Sequence, residues 1–161
     1  MEFALVLPVL MILLLGMISG ATAWNQSQAL GQGSRVAARF ASTFPLPATD
    51  PEMDDWLDDI IDRSVAASEG AMDAGVEGRV VCVAFVDPAG TAPDETASRR
   101  MDAAGSRTSG TDECFDDGQG DVARRVQVVL ERTGTLDIGF RRQDLDLRRE
   151  VVYRYEADGG I

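Results

Sequence analysis

Residues 2–24 read EFALVLPVLMILLLGMISGATAW, and after the opening glutamate this run contains no charged side chain. A helix rises about 1.5 Å per residue, so the stretch from Phe3 to Trp24 would extend ~33 Å and reach across the hydrocarbon core of a bilayer. The run therefore predicts a transmembrane segment at residues 1–24.

The polar stretch that follows continues the same helix. No proline occurs between Trp24 and Pro45, so nothing in this interval is expected to break the backbone hydrogen bonding. We expect an extramembrane continuation of the helix at residues 25–44, ended by Pro45 and Pro47.

Three residues of this helix are candidates for contacts between subunits. A carboxylate in or near hydrocarbon is costly unless it is paired, so Glu2 suggests a positively charged partner, although an interfacial position would also explain it. Gly16 and Gly20 form a small-xxx-small pair that lets another backbone approach, although glycine is also ordinary in membrane helices. We predict that all three residues serve assembly.

The opening of the chain carries a specific pattern. E-F-A-L-V-L-P at residues 2–8 is followed by aliphatic residues, by Trp24-Asn25 and by the small-residue segment RVAAR at residues 35–39. This pattern resembles the N-terminus of TadE-like minor pseudopilins, which belong to the tight-adherence (Flp-type) pilus assembly system. The resemblance covers residues 1–42, a quarter of the chain. It implies a pilin-like architecture, and it implies that Glu2 pairs with the N-terminal amine of a neighbouring subunit.

In that family the apolar run follows a short basic leader that ends in glycine and is removed by a prepilin peptidase. Only Met1 precedes Glu2 here, so the family's cleavage site matches no residue of this sequence. Two expectations follow: either the true start lies upstream of Met1, or the protein is not processed.

The composition argues against several classes of function. The chain has no histidine, and all 15 basic residues are arginine. It therefore lacks the commonest general base and metal ligand, and no nucleophile or phosphate-binding pattern is present, so we expect no enzyme, no cofactor and no small-molecule substrate. The formal net charge of −12 argues against nucleic acid as a partner.

The segment after the prolines opens an expected extracytoplasmic head at residues 45–161. Thr49-Asp50-Pro51 is typical of a helix start. Aspartates on one side of the predicted helix, at positions 54, 55, 58, 59 and 62, are expected to face solvent. The other side carries apolar residues with helical spacing: Met53, Trp56, Leu57, Ile60, Ile61 and Val65.

Several stretches predict β-strands. Residues 79–86, RVVCVAFV, are apolar on both faces and predict a central strand. Residues 122–130, 136–140 and 151–155 alternate apolar and polar side chains, and Thr133-Gly134 predicts a tight hairpin turn. The expected fold class is α+β: the long helix continues into a small head of one amphipathic helix and a three- to four-stranded antiparallel sheet.

A loop is expected at residues 87–121, rich in Gly, Ser, Thr, Asp and Ala. Because it is long for a connection, we expect it to be either disordered or functional. It contains Cys114, and Cys82 lies on the preceding strand; these are the chain's two cysteines. Outside the cytoplasm such a pair predicts a disulfide, with one buried and one exposed free thiol as the alternative.

The same loop contains the densest group of acidic side chains. Calcium binds carboxylates of this kind, but the spacing does not match the twelve-residue calcium loop, so we predict no metal site. A solvated acidic loop is the simpler interpretation. The weak calcium candidates are Asp112, Asp116, Asp117 and Asp121.

These observations predict a single-pass protein of the cell membrane, a minor pseudopilin-like component of a Tad/Flp-type pilus or secretion assembly. Its partners would be the membrane, other pilin or pseudopilin subunits and the assembly machinery. The head is expected outside the cytoplasm, but by the positive-inside rule Arg35 and Arg39, which follow the membrane segment, favour a head inside the cytoplasm. Ala21-Thr22-Ala23 resembles a signal-peptidase site, so a secreted binding module is one alternative, and an envelope-anchored, calcium-responsive binding module is another.

The cysteine pair gives a first testable prediction. Protein purified from its own compartment should react with a maleimide only after reduction, because both thiols are expected to be oxidised. Closing a loop of this size is worth roughly 3–4 kcal/mol, so Cys82→Ser should lower the free energy of unfolding by a comparable amount. Labelling of both cysteines without reductant would exclude the bond.

Overall fold

The computed structural model describes residues 3–47, 50–87, 96–110, 123–137 and 141–156. In this part of the chain, two helices precede one antiparallel sheet of five strands in the order β3-β2-β1-β4-β5. The α+β class is confirmed, with five strands in place of the expected three to four. The elements are α1 (Phe3–Thr43), α2 (Asp50–Ala67), β1 (Val80–Val86), β2 (Thr96–Met101), β3 (Arg107–Ser109), β4 (Arg125–Asp137) and β5 (Arg142–Arg154).

α1 is a single helix of 41 residues that contains Pro8 and ends at Thr43, just before Pro45. The expected long helix is therefore confirmed. Packing divides it into two parts, because the large side chains from Val6 to Ile18 are exposed whereas the inner face from Leu30 onward is fully buried. The head thus covers the second half of α1 and leaves the first half uncovered.

α2 crosses α1 at Gly33. A Cβ atom at this position would lie 2.7 Å from the carbonyl oxygen of Ser64, so the absence of a side chain permits the two helices to approach. The small residues Ala37 and Ala38 continue the same buried face of α1. The apolar side of α2 is buried as its spacing predicts, with Trp56, Leu57, Ile60 and Ile61 at most 5% exposed.

Both helices pack on one face of the sheet. Val81 and Val83 of β1 alternate with outward-facing residues and join Val128 and Leu130 of β4 in the main core. Cys82 lies on the opposite face, beside Val129, and is buried there. Burial of a side chain of this size contributes about 1.5–3 kcal/mol, so this alternation fixes which face of the sheet meets the helices.

The prediction of a hairpin turn at Thr133-Gly134 is wrong. Both residues lie inside β4, paired with Asp146 and Leu145 of β5. Gly134 lets the side chain of Leu147 pack against the backbone of β4, because a Cβ atom at Gly134 would lie 2.9 Å from Cδ1 of Leu147. β4 and β5 therefore form one long hairpin, whose connection falls between Asp137 and Arg142.

The expected loop at residues 87–121 is also corrected. Two strands, β2 and β3, lie within it and extend the sheet beyond β1. Their sequences, TASRRM and RTS, lack the apolar alternation by which strands are recognised. On the inner face of β2, the charged Arg99 lies between Ala97 and Met101, and Met101 is buried in the main core.

The crossing at Gly33 provides a test with an internal control. Gly33→Ala should lower the free energy of unfolding by about 1–3 kcal/mol, because the added methyl group overlaps the backbone of α2. Gly31→Ala should instead raise it by up to about 1 kcal/mol through helix propensity, since a Cβ at Gly31 meets nothing within 4 Å. Denaturant titration of the detergent-solubilised full chain measures both changes. Equal effects of the two substitutions would contradict the close crossing.

Candidate assembly surface

The first half of α1 presents an apolar surface that the head does not cover. Every large hydrophobic side chain from Val6 to Ile18 is at least 40% exposed. Within the described residues, the helix Val6–Thr43 is long and apolar enough to cross a membrane, with a mean hydropathy of 2.2 in its most apolar window. This surface is too large and too apolar to be stable in water without a partner.

The three predicted assembly residues relate differently to this surface. Gly16 and Gly20 both lie on α1, one helical turn apart. A Cβ atom at Gly20 would meet nothing within 4 Å, so this side of the helix is open to a neighbouring backbone. Glu2 lies outside the described residues. The assembly role of all three stays a prediction.

The β4–β5 hairpin lies along the second half of α1. At one end, the backbone N–H of Glu156 donates to the carbonyl oxygen of Ser42 (2.9 Å). At the other, the backbone N–H of Asp137 donates to Oγ of Ser19 (2.7 Å). Between them, Nη2 of Arg149 donates to Oγ of Ser27 (2.6 Å). The hairpin is thus tied to the helix along its whole length.

The junction between α1 and α2 is fixed from the far end of β5. The hydroxyl of Tyr155 donates to the carbonyl oxygen of Phe44 (2.9 Å), the residue that directly follows α1. The Tyr155 ring also contacts Phe85 edge to face, with centroids 5.6 Å apart. Beside this junction lies a cavity of about 420 Å³, lined by Phe44, Pro45, Pro47, Glu52, Asp55, Trp56 and Asp59.

The sequence pattern predicted that the aspartates of α2 all face solvent, but several of them bind arginines of the sheet. Arg99 of β2 reaches Asp58 with two hydrogen bonds, Nε to Oδ1 (2.9 Å) and Nη2 to Oδ2 (3.0 Å), and Asp54 with a third from Nη1 (3.2 Å). Arg107 of β3 pairs with Asp58 (3.4 Å) and Asp62. Aspartates spaced four residues apart thus share one side of α2 and hold β2 and β3 in place.

The electrostatics of this cluster favour the charged form of the arginine. The hydrogen bond to Asp58 raises the pKa of Arg99 above its ordinary value, with a further contribution from the nearby carboxylates, and this outweighs the lowering effect of burial. Because the folded-state pKa is raised, the stability that this arginine contributes is fully present at neutral pH and is lost only under strongly alkaline conditions.

Two further arginines, the half-buried Arg132 and the buried Arg79, bind backbone carbonyls in the segments that follow α2 and β2. Nη1 of Arg132 donates to the carbonyl oxygen of Ala71 (2.8 Å), and burial lowers its pKa. Arg79 is 5% exposed and donates to the carbonyl oxygens of Met72 (3.0 Å) and Ala103 (3.3 Å). These contacts are structural, since each guanidinium is used to satisfy backbone carbonyls.

The remaining predicted site residues lie outside the described part of the chain. These are Cys114 and the four calcium candidates, Asp112, Asp116, Asp117 and Asp121. Among the described residues there is no free cysteine and no group of three side chains that could hold a metal ion. The Cys82–Cys114 disulfide therefore stays a prediction.

Comparison with known proteins concerns the first quarter of the chain. Residues 1–39 match the family model of TadE-like proteins. The match covers nearly all of α1, both its uncovered part and most of its packed part, and it agrees with the resemblance found in the sequence. No curated protein and no solved structure matches the chain.

The carboxylate cluster gives a prediction about the head. Asp58→Asn should lower the free energy of unfolding by about 1–2 kcal/mol, because the side chain is 19% exposed and loses its charge-assisted bonds to Arg99 and Arg107. Asp59→Asn is the matched control on the same helix, where the exposed pair with Arg63 (4.0 Å) should contribute less than about 0.5 kcal/mol. Equal losses in denaturant titrations would refute the role of Asp58.

Proposed function

We propose that this protein is a membrane-anchored, minor pseudopilin-like component of a Tad/Flp-type pilus or secretion assembly. The observation that carries the proposal is the division of α1, nearly all of which matches the TadE-like family model: its apolar part up to Ile18 is uncovered, and its part from Leu30 onward is built into the head. Such a helix can lie among lipids or among like helices while the head remains folded outside.

Assembly through the uncovered half of α1 follows from its side chains. The open face at Gly20 admits a second helix at short range, and dispersion contacts between helices then replace contacts with lipid. Glu2 would add a charged contact at the start of the helix, where a positive partner stabilises a carboxylate close to hydrocarbon. The partners of this surface are therefore other pilin or pseudopilin helices.

The head is proposed to lie on the extracytoplasmic side. There it would contact other subunits of the assembly, and an oxidising compartment would support the predicted Cys82–Cys114 bond. A reporter fused after Ile161 should accordingly be active outside the cytoplasm.

The geometry does not favour the alternative of a secreted module cleaved after Ala23. Ser19 and Ala23 are each 9% exposed, and Ser19 accepts the hydrogen bond from Asp137. Cleavage would remove both residues from the head and expose the hairpin surface that covers them. The calcium-responsive alternative involves residues outside the described part of the chain and gains no support.

Replacement of Glu2 tests the assembly mechanism. Glu2→Gln keeps the size and removes the charge, so protein level and resistance of the membrane fraction to carbonate extraction should be unchanged. Crosslinking to partner pseudopilins and pilus-dependent adherence should be lost. Glu77→Gln, at an exposed position of the head, is the control and should retain both.

Two results would contradict the proposal. Recovery of a soluble form that begins at Trp24 would show that α1 is a cleaved signal instead of an anchor. Normal crosslinking and adherence of Glu2→Gln would reduce Glu2 to an interfacial residue and remove the charged contact from the mechanism.

A further inference from the structure

The end of the β4–β5 hairpin lies further along α1 than the apolar sequence alone suggests. Asp137, the last residue of β4, donates its backbone N–H to Oγ of Ser19. Ser19 lies five residues before Trp24, inside the apolar run, which corresponds to about 7.5 Å along the helix axis. Ser19 and Ala23 are both buried, although the large apolar residues before them are exposed.

This end of the hairpin is charged. Asp137, Arg141 and Arg142 are all exposed, and they follow one another closely around the connection between the two strands. A charged side chain costs several kcal/mol or more in the middle of a bilayer, so these residues are excluded from the hydrocarbon. If the hydrocarbon reached Trp24, the docked hairpin would carry them into it.

We propose that the end of the β4–β5 hairpin lies in the lipid headgroup layer and fixes how deeply α1 enters the bilayer. In this arrangement the hydrocarbon ends at Ser19, and Trp24, which is 66% exposed, lies outside it. The guanidinium groups of Arg141 and Arg142 would donate hydrogen bonds to headgroup phosphates, which suit the planar donor geometry of arginine. This inference rests on the proposed membrane anchoring of α1.

A hydrocarbon boundary at Ser19 also affects the other end of the helix. The run from Phe3 to Ile18 is 16 residues, or about 24 Å, whereas a typical hydrocarbon core is about 30 Å thick. The bilayer must thin locally, at a fraction of a kcal/mol per Å, or Glu2 must be drawn towards hydrocarbon, which is costly for an unpaired carboxylate. A positively charged partner for Glu2 would lower the cost of drawing its carboxylate towards hydrocarbon, so the hairpin contact and assembly would be coupled.

Tryptophan quenching in proteoliposomes of the full chain measures the depth directly. Trp24 is a native probe, and the buried Trp56 supplies a constant background that a Trp24→Phe variant defines. In vesicles of phosphatidylcholine and phosphatidylglycerol, aqueous iodide should quench Trp24, and lipids brominated on their acyl chains should not. In the Trp24→Phe background, a tryptophan introduced by Ile18→Trp should be quenched by the brominated lipids and protected from iodide.

Two further probes test the hairpin itself. β5 runs 13 residues from Arg142 to Arg154, so its ends lie about 40 Å apart. In the Trp24→Phe background, the iodide quenching constant of Arg142→Trp should be several-fold lower than that of Arg154→Trp, the matched control at the far end of the strand.

Each other result has a distinct meaning. Quenching by brominated lipid at both position 18 and position 24 would overturn the inference and leave the membrane anchor intact. Equal iodide quenching at positions 142 and 154 would also overturn it, because the hairpin would then be away from the headgroups. A probe at position 18 that brominated lipid does not quench would overturn the inference as well, because the hydrocarbon would then end before Ser19. Extraction of the chain from the vesicles by carbonate would refute the anchoring, and the inference would fall with it.

Discussion

The β4–β5 hairpin packs along α1 between Ser42 and Ser19, and most of the head depends on this contact. Hydrogen bonds tie the hairpin to the helix at both ends and in the middle. Between these ties, Leu30 of α1 and Leu130 of β4 are fully buried in the shared core. An isolated hairpin is marginally stable in water, so the helix supplies the apolar surface that a strand pair of this length requires. The same helix then continues out of the head as the uncovered apolar segment.

Charge pairing builds the other edge of the sheet. The carboxylate of Asp58 binds Arg99 of β2 and Arg107 of β3, and these bonds attach two short polar strands to the outside of α2. On these strands, Met101 is buried in the main core and Ala97 packs against it, and the arginine–aspartate cluster adds charged contacts that position both strands against α2. A partly buried, forked arginine–carboxylate pair is well suited to this, because its geometry is more specific than that of a single ion pair.

Part of this structure is readable in the sequence. The absence of proline up to Pro45 predicted that α1 continues past Trp24, and the spacing of Trp56, Leu57 and Ile60 predicted α2. β1 was evident because it is apolar on both faces. In each case the signal is local, since it comes from backbone breakers or from a repeating pattern within a single element.

The parts that the sequence did not predict depend on contacts between elements. β2 was missed because its inner face carries Arg99, whose partner Asp58 lies 41 residues away on a helix whose polar side was expected to face solvent. The hairpin turn was predicted in the wrong place because Thr133-Gly134 is a sequence typical of turns, whereas in the structure Gly134 leaves room for the side chain of Leu147. The contact of Asp137 with Ser19 has no local signal, and therefore the head's extent along α1 required the structure.

Site-specific photocrosslinking in native membranes tests the contact between α1 and the hairpin most directly. Gln26 is half-buried beside Gly134 of β4, and its Oε1 atom lies 3.5 Å from where a Cβ on that glycine would be, whereas Gln28 is exposed on another side of the helix. With a benzophenone amino acid at position 26, we predict an intramolecular crosslink to the β4–β5 peptide, and at position 28 crosslinks to lipid or to other proteins only. Crosslinks from position 26 to lipid or to a second chain, with the β4–β5 peptide unmodified, would contradict the packing of the hairpin on α1.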